Sequence, residues 1–254
     1  MGALPRRAVP HRVTVPRGGG WSVQPRAGTA HALHEPWPAA PLRTGRVVAP
    51  CSVLAGPAIV LGSTQGPDVV DTARAAARGT DVVRRGSGGG AVVVAPGAQV
   101  WIDVWLPRDD VLWDDDVVRS SRWLGEAWAR ALGALGVVGL QVHTGRATRS
   151  DWGGLVCFAG LGPGEVTAHG AKLVGIAQRR VRAGARLHSL VPLTWQPSSV
   201  TELLALGPEG AGRAERELAT LATGLRAVLP GPWRESTDEE IVTSVEEAFV
   251  ASLP

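Results

Sequence analysis

Tyrosine and asparagine are missing altogether from this sequence of 254 residues; methionine occurs once, at the start, and lysine once, at position 172. The other 25 of the 26 basic residues are arginine. Lysine is ordinarily among the commonest residues of a globular chain. Its near-removal, beside abundant Gly, Ala, Arg, Pro and Val, reads as the imprint of a strongly GC-biased gene, which exchanges lysine for arginine wherever any positive charge will do. Position 172 escaped. An ammonium is a compact point charge that meets an oxyanion head-on, whereas guanidinium is a broad fork. Lys172 is therefore either a chance survivor or a residue at which the shape of the charge matters.

Other shortages exclude whole classes. No apolar run approaches the ~18 residues of a membrane-spanning helix. The start carries arginines without an apolar stretch or a small-residue cleavage pattern, so no secretory signal is expected. Cys51 and Cys157, 106 positions apart, make no framework of bridges, and a reducing cytoplasm is the expected compartment. The net charge of +3 is concentrated at the start: residues 1–46 hold seven arginines against Glu35, which leaves −3 for the remainder. A basic leader on a mildly acidic body is not a nucleic-acid surface, and neither nucleic acid nor membrane is expected as a partner. Residues 1–45 read as an Arg/Pro-rich flexible leader, with the segment from His31 to Pro50 extended along the surface. Residues 46–254, within a chain 44% hydrophobic and 19% charged, are long enough for one domain with a real core.

Along that domain, Ala58–Gly62 and Asp81–Arg84 read as short strands and Asp71–Arg78 as a helix. Val100–Leu106 is a strand with Trp101, Asp103 and Trp105 on one face and Ile102, Val104 and Leu106 on the other. Asp114-Asp115-Asp116 suits the positive end of a helix running to Leu135, with Val117, Leu124, Trp128, Ala131 and Leu135 as its core stripe. Three adjacent aspartates do not face one another, so a metal site is not expected there. Gly139–His143, Leu155–Phe158 and Arg186–Leu193 read as strands, Glu165–Thr167 and Lys172–Ile176 as a hairpin, and Ser199–Leu206, Gly212–Leu229 and Asp238–Ser252 as closing helices. The order predicts an α+β fold on a mixed sheet.

Arg84-Arg85-Gly86-Ser87-Gly88-Gly89-Gly90-Ala91-Val92-Val93-Val94 concentrates glycine where strands are expected. Consecutive glycines are costly in backbone entropy. They suit a main chain that must approach a ligand closely or converge its N–H groups on an anion; the alternative is a plain turn. The run matches neither the P-loop nor the dinucleotide fingerprint. Two preceding arginines offer anion partners. Of the histidines, His169 falls in the hairpin turn, His143 on a strand and His188 on the Arg186–Leu193 strand, and no pair has metal-ligand spacing.

Two segments together resemble the lipoate–protein ligase A and octanoyltransferase family. Arg84-Arg85-x-Ser87-Gly88-Gly89-Gly90-Ala91-Val92 is similar to its RRxSGGGAV signature, and Gly170-x-Lys172-x-x-Gly175-x-Ala177-Gln178 to its G-x-K-x-x-G-x-A motif. The resemblance implies the biotin/lipoate protein ligase catalytic fold, over roughly residues 55–195, and attachment of lipoate or octanoate to one lysine of an acceptor domain. It implies that Arg85, Ser87, Gly88, Gly89, Gly90, Ala91, Val92, Val93 and Gly175 line the acyl or nucleotide site, with Arg85 as charged partner. Lys172 would offset negative charge at the acyl carbon. The GRGRxGR-type loop of biotin ligases is not present. Val93 and Val94 replace the usual aromatic and histidine, and the Asn-Asp pair of the ligases is missing. No C-terminal accessory domain is expected.

Cysteine-dependent octanoyltransferases of this family carry a segment similar to Val156-Cys157-Phe158 through Gly164-Glu165, with the cysteine fifteen positions before the lysine, as here. His188-Ser189-Leu190-Val191-Pro192-Leu193 is similar to their H-G-S-I-P-L strand. A nearby ammonium stabilises a thiolate, so Cys157 reads as an acyl-carrying nucleophile, or else as a small buried hydrophobe. Three functions follow: a Cys157-dependent octanoyl or lipoyl transferase, an ATP-dependent lipoate ligase passing through lipoyl-adenylate, or a module that binds without catalysis. No tightly bound cofactor and no resident metal are implied; ATP and magnesium enter only for a ligase. The implied partners are lipoyl domains of 2-oxoacid dehydrogenases, the glycine cleavage H protein and acyl carrier protein.

Overall fold

The computed structural model describes residues 20–35 and 45–254. Residues 1–19 and 36–44 lie outside the described residues, and with them part of the expected leader and Pro36, Pro38 and Pro41 of the expected extended segment.

Residues 20–35, read from the sequence as leader, are built into the fold. Trp21–Val23 (β1) and Arg26–Gly28 (β2) pair in parallel with Arg46–Val53 (β3), and Ala30–His34 forms a short helix, α1, whose Ala32 N–H donates to the Thr29 hydroxyl. Ala30 and Leu33 are buried. Three-residue strands are too short to show the alternation by which a strand is read from sequence.

Ala58–Leu61 (β4), helix α2 (Thr72–Ala77) and Asp81–Arg84 (β5) follow as expected, then Val92–Val94 (β6) and Gln99–Pro107 (β7). Helix α3 spans Arg122–Ala134, and short strands occupy Leu140–Val142 (β8), Thr148–Arg149 (β9), Gly160–Leu161 (β10) and Val166–Ala168 (β11). Ala171–Val181 (β12) and Gly184–Pro192 (β13) form the long hairpin. Helices α4 (Ser198–Thr201), α5 (Pro208–Leu221), α6 (Leu225–Val228) and α7 (Asp238–Ala251) end the chain. The main sheet runs β1-β3-β7-β13-β12-β11-β8 with β2 also on β3, and a smaller sheet runs β5-β4-β6. Both mix parallel and antiparallel pairs, so the α+β expectation holds.

The two faces of β7 explain the layering. Ile102, Val104 and Leu106 pack against Leu124 and Trp128 of α3 and Phe249 of α7, in a core where the Trp128 and Phe249 rings lie 4.5 Å apart. Burying each such large side chain contributes about 1.5–3 kcal/mol. Trp101 and Trp105 face the other way, onto Val60, Val83 and Val94 of the small sheet. The site lies between the two sheets, on that second face.

Four further readings need correction. Where it is described, the segment from His31 to Pro50 is not extended along the surface: residues 31–34 belong to α1, and residues 47–50 are buried in β3, paired with β7. The aspartate triplet does not open α3, which starts at Arg122. Asp114 and Asp116 instead accept from the backbone N–H groups of Asp116 and Val118, and Arg119 bridges both carboxylates; such local bonds compete with helix. Leu155–Phe158 is not a strand: Cys157–Ala159 forms a 3-10 turn after a single bridge between Val156 and Ala91. The expected helix Gly212–Leu229 is cut between α5 and α6. There the chain crosses β12, with Thr223 N–H donating to the Lys172 carbonyl, and a Cβ at Gly224 would meet the Leu193 oxygen at 2.7 Å.

Candidate active site

The glycine motif and the cysteine turn form one unit. Ala91 N–H donates to the Leu155 carbonyl at 2.7 Å, and Cys157 N–H donates to the Ala91 carbonyl at 2.9 Å. Gly90 permits this approach, since a Cβ there would lie 2.5 Å from the Val156 carbonyl carbon. Gly89 has a φ of +101°, a left-handed conformation that favours glycine. The close approach that Gly90 serves is to backbone. Gly88 and Gly89 line an open cleft beside Thr148, Gly160, Lys172 and Gln178. Ser87 is buried, and its hydroxyl has no hydrogen-bond partner among the described residues.

Arg85 does not present a free guanidinium to an anion. Its Nε and one terminal nitrogen donate to the Gly88 carbonyl at 3.3 and 2.9 Å; the same nitrogen reaches the Gly90 carbonyl at 2.8 Å, and the other the Val60 carbonyl at 3.1 Å. Burial pulls Arg85 below its ordinary range, opposed by the nearby Cys157 and Glu165. Its observed work is to hold the glycine loop in shape.

Lys172 is 4% exposed, and Nζ uses all three of its donors. They go to Glu165 Oε2 at 2.7 Å, the Cys157 carbonyl at 2.8 Å and the Gly160 carbonyl at 2.9 Å. Nζ also stands 5.1 Å from the centroid of the Phe158 ring. Glu165 is likewise 4% exposed and accepts from the Gly162 N–H at 2.6 Å and the Ile176 N–H at 2.9 Å. Hairpin geometry makes this possible: His169 (φ 51°) and Gly170 (φ 84°) turn the chain so that β11 and β12 bring Glu165 and Lys172 together. Glu165 had no role in the sequence reading, although a single lysine in a buried strand pair called for a carboxylate nearby.

Cys157 is a half-buried free thiol at the meeting of two spaces. One is the glycine-lined cleft, which also includes Glu165 and Lys172. The other is an apolar pocket walled by Val92, Phe158, Gly175, Ile176 and Leu190, among others. A Cβ at Gly175 would sit 3.4 Å from the Phe158 ring, ordinary contact, so glycine here leaves space in the pocket. Val93 lies away from it, in a second cavity behind β6 beside Trp195.

A second buried cluster underlies the pocket. Asp103, fully buried, accepts from Trp101 Nε1 at 2.8 Å and His188 Nδ1 at 2.7 Å, and pairs with Arg186. Burial opposes its charge, but His188 and Arg186 together hold the carboxyl far below the usual range. Burial lowers His188 despite that carboxylate, so its ring is neutral near pH 7. His188 is thus tied to β7 by its hydrogen bond to Asp103. Asp103 carried a signal, as the one charge on an apolar strand between two tryptophans. His169 is exposed in its turn, and His143 bonds the Arg146 carbonyl away from the site. Among the described residues no group of three or more His, Cys, Asp or Glu side chains is placed to hold a metal, and no helix is long and apolar enough to cross a membrane.

Solved structures share this fold at low identity. A bipartite lipoate protein ligase from Thermoplasma acidophilum, described with its E2 lipoyl domain, matches with a TM-score of 0.63 and 15% identity over 91% of this chain and 84% of its own. A lipoate-protein ligase A bound with ATP matches at 0.55 and 16% over 82% and 72%. P. falciparum LipL1 in complex with lipoate matches at 0.57 and 12% over 92% and 62%. No curated protein sequence matches significantly. Residues 53–250 match the lipoyl protein ligase A/B catalytic domain. Both motifs, the intervening strand and the closing helices up to Val250 fall inside that match, and the chain belongs to the lipoyl protein ligase A/B catalytic domain family.

Proposed function

We propose that this protein is an acyltransferase of protein lipoylation, moving an octanoyl or lipoyl group from a carrier thioester to the acceptor lysine of a lipoyl domain through Cys157. The carrying observation is the placement of Cys157 between an apolar pocket and a polar cleft, with the Lys172 ammonium 2.8 Å from its carbonyl oxygen. In the first step the Cys157 thiolate attacks the donor carbonyl, the new thioester forms, and the carrier thiol leaves with a proton. In the second the acceptor amine attacks that thioester, the amide forms, and the Cys157 thiol is restored. No ATP is consumed.

Lys172 serves both oxyanions by exchanging one carbonyl partner, that of Cys157 or Gly160, for the substrate oxygen while Glu165 keeps it in place. Ser87, Gly88, Gly89 and Gly90 shape the cleft, Ala91 and Arg85 brace it, and Val92 and Gly175 wall the acyl chain. The commitment of Arg85 to carbonyls argues against an ATP-dependent ligase that relies on this arginine for phosphate. The acceptor is a lipoyl domain, of a 2-oxoacid dehydrogenase or a glycine cleavage H protein, and the donor an acyl carrier protein. Support for that acceptor comes from the archaeal neighbour described with its E2 lipoyl domain. We place the protein in the cytoplasm, consistent with free thiols at Cys51 and Cys157.

The test is intact-mass measurement of the protein and a lipoyl domain incubated with octanoyl carrier thioester, and separately with ATP and lipoate. Acylated wild type and acylated domain are expected in the first mixture, with both lost in Cys157→Ser. Full-rate transfer by Cys157→Ser, or transfer only with ATP, would overturn the mechanism.

A further inference from the structure

The apolar pocket runs along the second face of the main sheet, and cross-strand register gives its direction. Gly175 lies opposite Leu190, and Leu190 opposite Trp101; Ala177 lies opposite His188, and His188 opposite Asp103. Cys157 belongs to the Gly175 end: Lys172 Nζ rests on its carbonyl, and the Lys172 Cε lies 3.6 Å from where a Gly175 Cβ would be. The Ala177–His188 row is two residues further along the strand, about 7 Å on. An acyl chain attached at Cys157 and lying in the pocket therefore advances toward His188.

Across the sheet from Gly175, over β13 and β7, stands a residue from outside the matched residues 53–250. His34, on α1, lines the pocket with Trp101 and His188, its ring centroid 4.7 Å from Trp101 and 5.6 Å from His188. The family match begins at residue 53, so this wall lies outside the matched residues. The segment is seated by its backbone. Arg26 donates to the Ala32 and Leu33 carbonyls, and Arg186, anchored on Asp103, donates to the Leu33 and Glu35 carbonyls. Burial, with His188 adding to it, lowers His34 to about 4, so the wall is uncharged at neutral pH and compatible with a hydrocarbon end.

We propose that His34 is a specificity-determining residue: its imidazole ends the acyl pocket and sets the longest unbranched acyl chain that Cys157 accepts. This rests on the acyl-transfer reading above. One methylene in an apolar pocket is worth about 10–200-fold in discrimination. Removing the ring while its backbone clamps remain deepens the pocket at one end only.

The experiment offers the full-length protein a series of saturated acyl carrier thioesters of increasing length and reads acylation of a lipoyl domain by mass. Wild type is expected to fall sharply beyond its optimum. His34→Ala is expected to raise the relative rate for the next longer chains by about tenfold or more, and His34→Trp to move the cut-off to shorter chains. His31→Ala, an exposed position on the same helix, is expected to keep the wild-type profile. Thermal melting establishes that each variant is folded; should His34→Ala fail to fold, His34→Trp alone decides. A wild-type length profile in the folded His34 variants overturns the proposal. If wild type transfers no chain of any length, the acyl-transfer reading fails, and this proposal with it.

Discussion

Lys172 and Glu165 form a buried ion pair, 2.7 Å from Nζ to Oε2, each 4% exposed. The only lysine in the chain is thus held by a carboxylate as well as by two carbonyls. Breaking a buried pair on one side leaves an uncompensated charge and costs about 3–5 kcal/mol. Lys172→Met is expected to lose both activity and that much stability by chemical denaturation. Lys172→Met with Glu165→Gln is expected to recover most of the stability and none of the transfer. Recovery of transfer would show that the ammonium acts only as a structural partner.

Gly90→Ala tests the junction of the two motifs. The added Cβ would meet the Val156 and Cys157 backbone at 2.5–2.8 Å, where no flexible side chain can give way. A loss of about 1–3 kcal/mol is expected. Transfer rate is expected to fall even at temperatures where the variant is fully folded, because Cys157 is displaced. Gly88→Ala, with open space around the new Cβ, serves as the control for steric damage in denaturant titrations.

Asp103→Asn addresses the cluster beneath the pocket. The carboxylate is held far below its ordinary range by His188 and Arg186, so its contribution is present above the unfolded carboxylate range and is lost as pH falls through the folded value. Withdrawing the charge is expected to cost about 3–5 kcal/mol at neutral pH. The variant is expected to lack the corresponding share of the wild-type acid limb when stability is followed from pH 5 down to pH 2.

Glu246 on α7 runs the other way. Burial, with Glu247 adding to it, raises its carboxyl to about 7. The folded state therefore binds the proton more tightly than the unfolded chain, and stability falls as pH rises from the ordinary glutamate range to about 7. Glu246→Gln is expected to raise stability at pH 8 by on the order of 1–3 kcal/mol and to give no gain at pH 4. Equal melting temperatures at pH 8 would count against it.

Where the sequence spoke plainly, it did so through period and composition. Alternation along residues 100–106 identified β7 and both of its faces; of the expected stripe Val117, Leu124, Trp128, Ala131 and Leu135, the members from Leu124 to Ala131 are buried on α3, while Val117 precedes the helix and is exposed. Lys172 was visible as the sole survivor of its type; Cys157 was visible only through the resemblance of its segment, and of its fifteen-position offset from that lysine, to the octanoyltransferases. What stayed hidden depended on contacts far apart in sequence. Arg85 reads as an anion partner until the carbonyls of Val60, Gly88 and Gly90 are seen around it. Glu165 closes the octanoyltransferase-like segment, but its pairing stayed hidden because its partners come from a turn and a second strand. His34 sits in a five-residue helix too short to register as periodic, and its role arises only where β7 and β13 meet it.

The reciprocal bonds between Ala91 and the Leu155–Cys157 turn have a consequence for the timing of any reaction at the thiol. Two hydrogen bonds of 2.7 and 2.9 Å tie the cysteine's main chain to β6 before a substrate arrives. The Cys157 main chain cannot swing, so in the transfer proposed above the acyl donor has to be brought to the thiol. Orientation is settled at folding instead of during turnover, which removes a search from the reaction coordinate. It also makes the glycine motif answerable for aim: a shift of β6 along its axis would carry Cys157 with it.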